Sequence, residues 1–282
     1  MKWVTFRTGA GPHAGFVDGT DIVDLGPAPL QSWFGREEDA RAGDGRRMPI
    51  ADATLMQPIV RPGKILGIGV NYADHAKESV SFTNLKAGGV QKWFVKQATA
   101  ANGPYDPVER PAVSTDLDYE GEIVVVIGKR ARHVPASRAM EVVAGFCAGC
   151  DYSVRDWQKA SPTVNMGKGF DTHAPFGPWI VTPDEIGPVT EIGVRSFVNG
   201  EQRQSGNAGQ MIASIPEQIE HLSTAFTLEP GDVIFTGTPA GVGQAFDPPR
   251  FVSPGDVVRV EVDGVGYIEN TIVQGDRQTV IE

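Results

Sequence analysis

The stretch Asp118-Tyr119-Glu120-Gly121-Glu122, running into Ile123-Val124-Val125-Val126-Ile127-Gly128, constrains the fold more than any other. Its aliphatic run, bounded by a glycine, reads as a strand buried on both faces. Positions i and i+2 share a face of a strand, so Glu120 and Glu122 point the same way with only Gly121 between them. Two like charges entering a buried strand cannot stay ionised together without a cation. Carboxylate oxygens are hard ligands, which favours Mg²⁺, Mn²⁺ or Ca²⁺ over zinc. A solvated strand end carrying two exposed acids is the plainer alternative.

Ile123 to Ile127 is also the longest aliphatic run, so no segment reads as a bilayer span and no membrane partner is expected. The amino terminus alternates polar and apolar residues from Lys2 to Arg7 and reads as a strand, without the long apolar core of a secretion signal. Lys plus Arg total 25 against 35 Asp plus Glu, a net charge of −10, which makes nucleic acid a poor partner and a small molecule a better one. Cys147 and Cys150 form a lone C-x-x-C, too few ligands for a structural zinc site, and read as two buried thiols in a reducing, cytoplasmic setting rather than a thioredoxin-like pair.

With 34 Gly and 21 Pro, the chain has the punctuation of many short strands joined by turns. Strands are expected at 2–7, 64–69, 92–96, 122–128, 193–198, 232–236, 256–262 and 265–273. The clearest helix is 214–226, where Ser214 and Glu217 form a capping box and Ile215, Ile219, Leu222 and Phe226 recur at helical spacing. Shorter helices are expected near 71–79, 136–144 and 153–159. The polar, Gly-containing stretch 35–48, and Pro58 with Pro62, place a boundary near 58. A small amino-terminal β-rich domain (1–57) would precede a main catalytic domain (58–282), giving a β-rich α+β protein.

Further segments carry candidate chemistry. Asp151, directly after the apolar segment Val142 to Cys150, offers a third carboxylate at a strand end or, equally well, a helix N-cap. Arg155 and Gln158, at i and i+3, share a helical face that would suit an anionic or carbonyl-bearing ligand, or merely solvent. His75 and Glu78, also i and i+3, form either a carboxylate-oriented general base or an ordinary helix-surface ion pair. The following 79–91 segment, containing Gly88-Gly89, suits a lid. Lys168 and Gly237-Thr238-Pro239-Ala240-Gly241 lie in glycine-flanked turns that can present polar groups. Phosphate-loop, dinucleotide, serine-hydrolase and zincin signatures are all missing.

Taken in order, these segments resemble the fumarylacetoacetate hydrolase family. The matching pieces are Gly67-Ile68-Gly69-Val70-Asn71-Tyr72 with His75 and Glu78, Asp118 to Glu122, Asp151 to Gln158, Gly167-Lys168 with Phe170-Asp171, and Leu228 to Gly243, a likeness spanning about 60 to 273. Within that family the likeness is to the acylpyruvate hydrolase and 2-hydroxyhepta-2,4-diene-1,7-dioate isomerase branch. The resemblance implies a mixed β-roll, usually dimeric, with Mg²⁺ or Mn²⁺ on the positions matching Glu120, Glu122 and Asp151. It implies substrate binding or charge stabilisation by Lys168, a pocket lined by Tyr72, Arg155, Gln158 and Thr238, and water activation by His75 and Glu78 on a lid helix. The sequence departs from the family pattern at Gln97, Gly169, His173 and the segment after Asn207, which leaves substrate identity open.

Expected chemistry follows from that resemblance. A small 2-oxo acid chelates the cation through its carboxylate and keto oxygens. For an acylpyruvate-like 2,4-dioxo acid, water deprotonated by the His75–Glu78 pair attacks the 4-carbonyl and the C3–C4 bond breaks, giving a carboxylic acid and pyruvate, as in aromatic catabolism. The alternative is decarboxylation of oxaloacetate or another 2-oxo diacid, or a 2-hydroxymuconate-type isomerisation, through the same enolate. A non-catalytic module binding a cation or organic acid is a rival from another class.

Overall fold

The computed structural model describes residues 1–79 and 90–281. Its elements are, in chain order, β1 (Lys2–Thr8), β2 (Gly11–Asp18), β3 (Asp21–Gly26), β4 (Ile65–Gly69), α1 (Ala73–Ser79), β5 (Lys92–Lys96) and β6 (Gly121–Ile127). They continue as β7 (Val143–Cys150), α2 (Arg155–Ala160), α3 (Asn165–Lys168), β8 (Ala174–Val181), β9 (Gly193–Val198), β10 (Glu201–Asn207), α4 (Ile215–Ala225), β11 (Val233–Phe235), β12 (Val257–Val262) and β13 (Gly266–Gln274). A few two- and three-residue strands and short 3₁₀ turns fill the rest.

A large mixed sheet runs β3-β2-β1-β8-β7-β6-β11-β4-β5, antiparallel except where β11 pairs parallel with β4. A second sheet runs β10-β9-β12-β13 and ends on the short strand Val108–Arg110. The architecture is the β-rich α+β type expected from the punctuation. Residues 1–57 continue the large sheet, since Lys2 and Trp3 pair with Val181 and Ile180 of β8.

β6 is covered on both faces, and alternation sorts its side chains between two apolar clusters. Ile123, Val125 and Ile127 join one cluster with Phe146, Val260 and Ile219. Val124 and Val126 join the other with Trp3, Phe176 and Phe235. Cys147 and Cys150 follow the same alternation on β7, one in each cluster, both free and buried. They cannot face one another, and burial pushes both thiols well above their usual range.

α4 starts at the expected capping box and buries Ile215, Ile219 and Leu222. The helix expected at 136–144 is a 3₁₀ helix over Ala136–Val142, after which Val143 opens β7. No helix among the described residues is long and apolar enough to cross a membrane.

Candidate active site

The register of two strands assembles the acidic cluster. β6 and β7 pair with Gly121 opposite Cys150, so the residues just beyond that end, Glu120 and Asp151, lie side by side, and the Asp151 amide donates to the Glu120 carbonyl at 2.8 Å. Glu122 faces the same way two positions on, and the three carboxylates place oxygens within 4.8 Å of one another, all buried. Gly121 permits this because the second sheet presses on it. A Cβ there would sit 1.9 Å from Ser196 Oγ and 3.1 Å from Val260 Cγ1.

Three buried cations hold the acids. Lys168 Nζ donates to Glu120 Oε2 and Asp151 Oδ2, both at 2.6 Å, and Lys96 Nζ donates to Asp151 Oδ1 at 2.5 Å and to the Tyr152 carbonyl at 3.1 Å. Arg155 donates to Glu120 at 2.6 Å, Asp118 at 2.8 Å and Gln158 at 2.9 Å. Burial opposes charge on Glu120, yet Lys168 and Arg155 hold its carboxyl well below the usual carboxylate range. Glu122 has no hydrogen bond to a cation among the described residues. Burial, then Asp151 and Glu120, push it well above that range, against the opposing pull of the nearby Lys168 charge and of the Gly237 amide, which donates to it at 2.6 Å. Burial lowers the Lys96 ammonium from its ordinary value, and Asp151 counters that.

The loop after β11 supplies backbone amides rather than side chains. Gly237 and Gly241 take positive φ, and their amides donate to Glu122 and to Glu78, the latter at 3.0 Å. The amides of Gly243 and Gln244 donate to Asp118 at 2.7 and 3.0 Å. Thr238 is pinned between the Gly121 carbonyl and Gln204. At the start of α1, Asn71 bonds the Thr236 carbonyl and both backbone groups of Ala213, which fixes where the helix begins. His75 Nδ1 lies 2.7 Å from Glu78 Oε1.

A cavity of about 800 Å³ has His75, Glu120, Arg155, Gln158, Lys168 and Thr238 in its lining. Glu122, Asp151, Glu78 and Tyr72 do not line it. Tyr72 is buried with its hydroxyl unpartnered, and burial, with Glu122 nearby, raises its pKa. Gln97, Gly169, His173 and Asn207 do not line the cavity either. Most of the 79–91 segment, 80–89, lies outside the described residues, and with it the lid expected there.

The sequence profile of the fumarylacetoacetate (FAA) hydrolase C-terminal family matches residues 64–273. The chain belongs to the fumarylacetoacetate hydrolase family. Family members of known name span nearly the whole of it. The bovine protein named oxaloacetate tautomerase FAHD2A, mitochondrial, is 38% identical over 97% of this chain and 92% of its own length. The solved fumarylacetoacetate hydrolase of Exiguobacterium antarcticum superposes with a TM-score of 0.86 at 34% identity, covering 98% of this chain and 100% of its own. The 5-carboxymethyl-2-hydroxymuconate delta-isomerase of Mycobacterium smegmatis does so at 0.80 and 33%, with the same coverage.

The family likeness and the geometry meet at the carboxylates. Their donors are oxygens only, they are buried, and Glu122 makes no hydrogen bond to a cation among the described residues, so the cluster suits a hard divalent cation. From the sequence, Lys96, Asp118 and Gln204 have no assigned role. Lys96 closes the strand Lys92-Trp93-Phe94-Val95-Lys96, whose three consecutive apolar residues give no alternation that would mark its last residue as facing inward.

Proposed function

We propose that this protein interconverts the enol and keto forms of a small 2-oxo diacid at a divalent ion held by Glu120, Glu122 and Asp151, with His75 moving the proton. The supporting observation is that His75, Glu120, Lys168 and Arg155 all line one cavity. Mg²⁺ or Mn²⁺ held by Glu120, Glu122 and Asp151 would supply Lewis-acid polarisation of the substrate's 2-oxo group. The Glu78 carboxylate accepts from His75 Nδ1, which makes Nε2 the basic nitrogen, and the Gly241 amide holds Glu78 in place. His75 takes the proton from C3 and returns it to oxygen, or the reverse. Lys168 has one ammonium hydrogen beyond its two carboxylate bonds with which to steady the developing enolate. Arg155 positions Glu120 and Gln158 and has one Nη1 hydrogen left for the substrate.

Names of relatives add support, since the bovine protein is called an oxaloacetate tautomerase and a solved neighbour an isomerase. A second reading, hydrolysis of an acylpyruvate-like 2,4-dioxo acid, is favoured by the carboxylate-oriented imidazole, which suits water as well as carbon acids. Side-by-side assays of oxaloacetate and acylpyruvates with Mg²⁺, Mn²⁺ or EDTA separate the two. The expected result is metal-dependent loss of the oxaloacetate enol absorbance with no pyruvate or CO₂ formed. Pyruvate from acylpyruvates would establish the second reading, pyruvate from oxaloacetate would show decarboxylation, and inertness toward every oxo acid would overturn both. Lys168→Met should lower kcat at least a hundredfold while changing KM only a few-fold, and equal losses would count against its role.

Two further expectations rest on the family resemblance and on the free thiols. The chain should sediment as a homodimer, with a single-chain mass at micromolar concentration as the contrary result. A reducing compartment, the cytoplasm in the first instance, suits Cys147 and Cys150.

A further inference from the structure

We propose that Lys96 is an internal counter-ion that keeps the acidic cluster assembled while no metal is bound, at the cost of weaker metal affinity. This rests on the reading that Glu120, Glu122 and Asp151 hold a divalent ion. Three carboxylates within 4.8 Å of one another repel strongly in a buried site, yet here they converge. The reason is visible in their partners. Each Asp151 oxygen has its own ammonium, Lys96 on Oδ1 and Lys168 on Oδ2, and Glu120 is shared by Lys168 and Arg155. Counting Asp118, four buried acids face three buried cations, and Glu122 is the acid to which none of the three donates a hydrogen bond.

Lys96 differs from the other two cations. Arg155 and Lys168 line the cavity and can touch a substrate, whereas the Lys96 side chain is wholly inaccessible and does not line it. Its ammonium donates to Asp151 and to the Tyr152 carbonyl. Lys96 is a positioning residue whose charge substitutes in part for the ion. An entering divalent cation adds positive charge beside it, so removing Lys96 relieves repulsion of the metal and exposes the acids to one another when the metal is absent.

Thermal melts and Mn²⁺ titrations of the full chain test this with Lys96→Met, which removes the charge, and Lys96→Gln, which keeps a donor without charge. Both variants should melt lower than wild type in EDTA. Both should recover most of the loss in Mn²⁺, so that the rise in Tm on adding metal at least doubles, and both should bind Mn²⁺ at least fivefold more tightly. Equal Tm losses with and without Mn²⁺, a wild-type metal response in Lys96→Gln, or failure to fold even in Mn²⁺ would overturn the role of Lys96. If wild type binds Mn²⁺ and Glu122→Gln does not, the metal reading stands whatever Lys96 does. If wild type binds none, both fall together.

Discussion

Gly121 shows what one residue contributes. In the sequence it reads as a spacer that keeps Glu120 and Glu122 on one side, and that much is legible from alternation alone. The contact that requires a glycine, Ser196 and Val260 of the second sheet, comes from residues some 75 to 140 positions away and leaves no local trace. Gly121→Ala should destabilise the fold by about 1–3 kcal/mol through overpacking and weaken Mn²⁺ binding, as read by urea melts and metal titration; an unchanged melt would show that Ser196 simply rotates aside. His173 carries a pH dependence of its own. Burial holds its imidazole down to about 3, with Nε2 on the Glu109 carbonyl, while in the unfolded chain it titrates near its ordinary value of 6.5. Between those values the unfolded chain binds the extra proton, so stability falls as pH drops through that window, by up to about 1.4 kcal/mol per pH unit. His173→Gln should remove that slope from denaturant melts at pH 4–6.5, and an unchanged slope would place the acid sensitivity elsewhere.

Single elements were legible where one face is apolar or where caps are explicit. α4 is the clearest, with its capping box and buried Ile219, and Ile219→Ala should cost about 2–5 kcal/mol while leaving Mn²⁺ affinity as it is. A parallel loss of metal binding would mean that the helix also shapes the site. β8 escapes sequence reading because Pro175 and Pro178 argue against a strand, and β10 because Glu201-Gln202-Arg203-Gln204-Ser205 lacks apolar alternation on an edge strand. The loop after β11 illustrates the same limit. Its glycines mark a turn, but that the turn delivers amides to Glu122, Glu78 and Asp118 depends on long-range placement. For α1 the i, i+3 spacing suffices to pair His75 with Glu78, and Glu78→Gln should slow enol–keto interconversion at least a hundredfold while changing Mn²⁺ affinity only a few-fold. A parallel loss of Mn²⁺ binding would assign Glu78 to folding.

Across the whole molecule, charge is distributed against its own average. The chain carries a net −10, yet beyond Arg155 and Lys168, which the buried acids already hold, the cavity lining adds Lys92 and Lys159, with Glu120 as its one carboxylate among the described residues. That distribution suits a dianionic substrate, as the formal charge of the chain does not. Raising ionic strength from about 20 to 500 mM should increase KM for a 2-oxo diacid several-fold with kcat nearly constant, and a salt-independent KM would remove the electrostatic basis for diacid preference. The two-sheet frame with its separate apolar clusters fixes the junction where β6 begins and β7 ends, and everything proposed for catalysis depends on an ion being seated at that junction. Diffraction from crystals soaked in Mn²⁺ and oxalate, recorded at the manganese absorption edge, tests this most directly. One anomalous peak within coordination distance of Glu120, Glu122 and Asp151, with oxalate completing the shell, is the predicted result. A peak elsewhere, or an ion so enclosed by protein that oxalate stays outside, would contradict it.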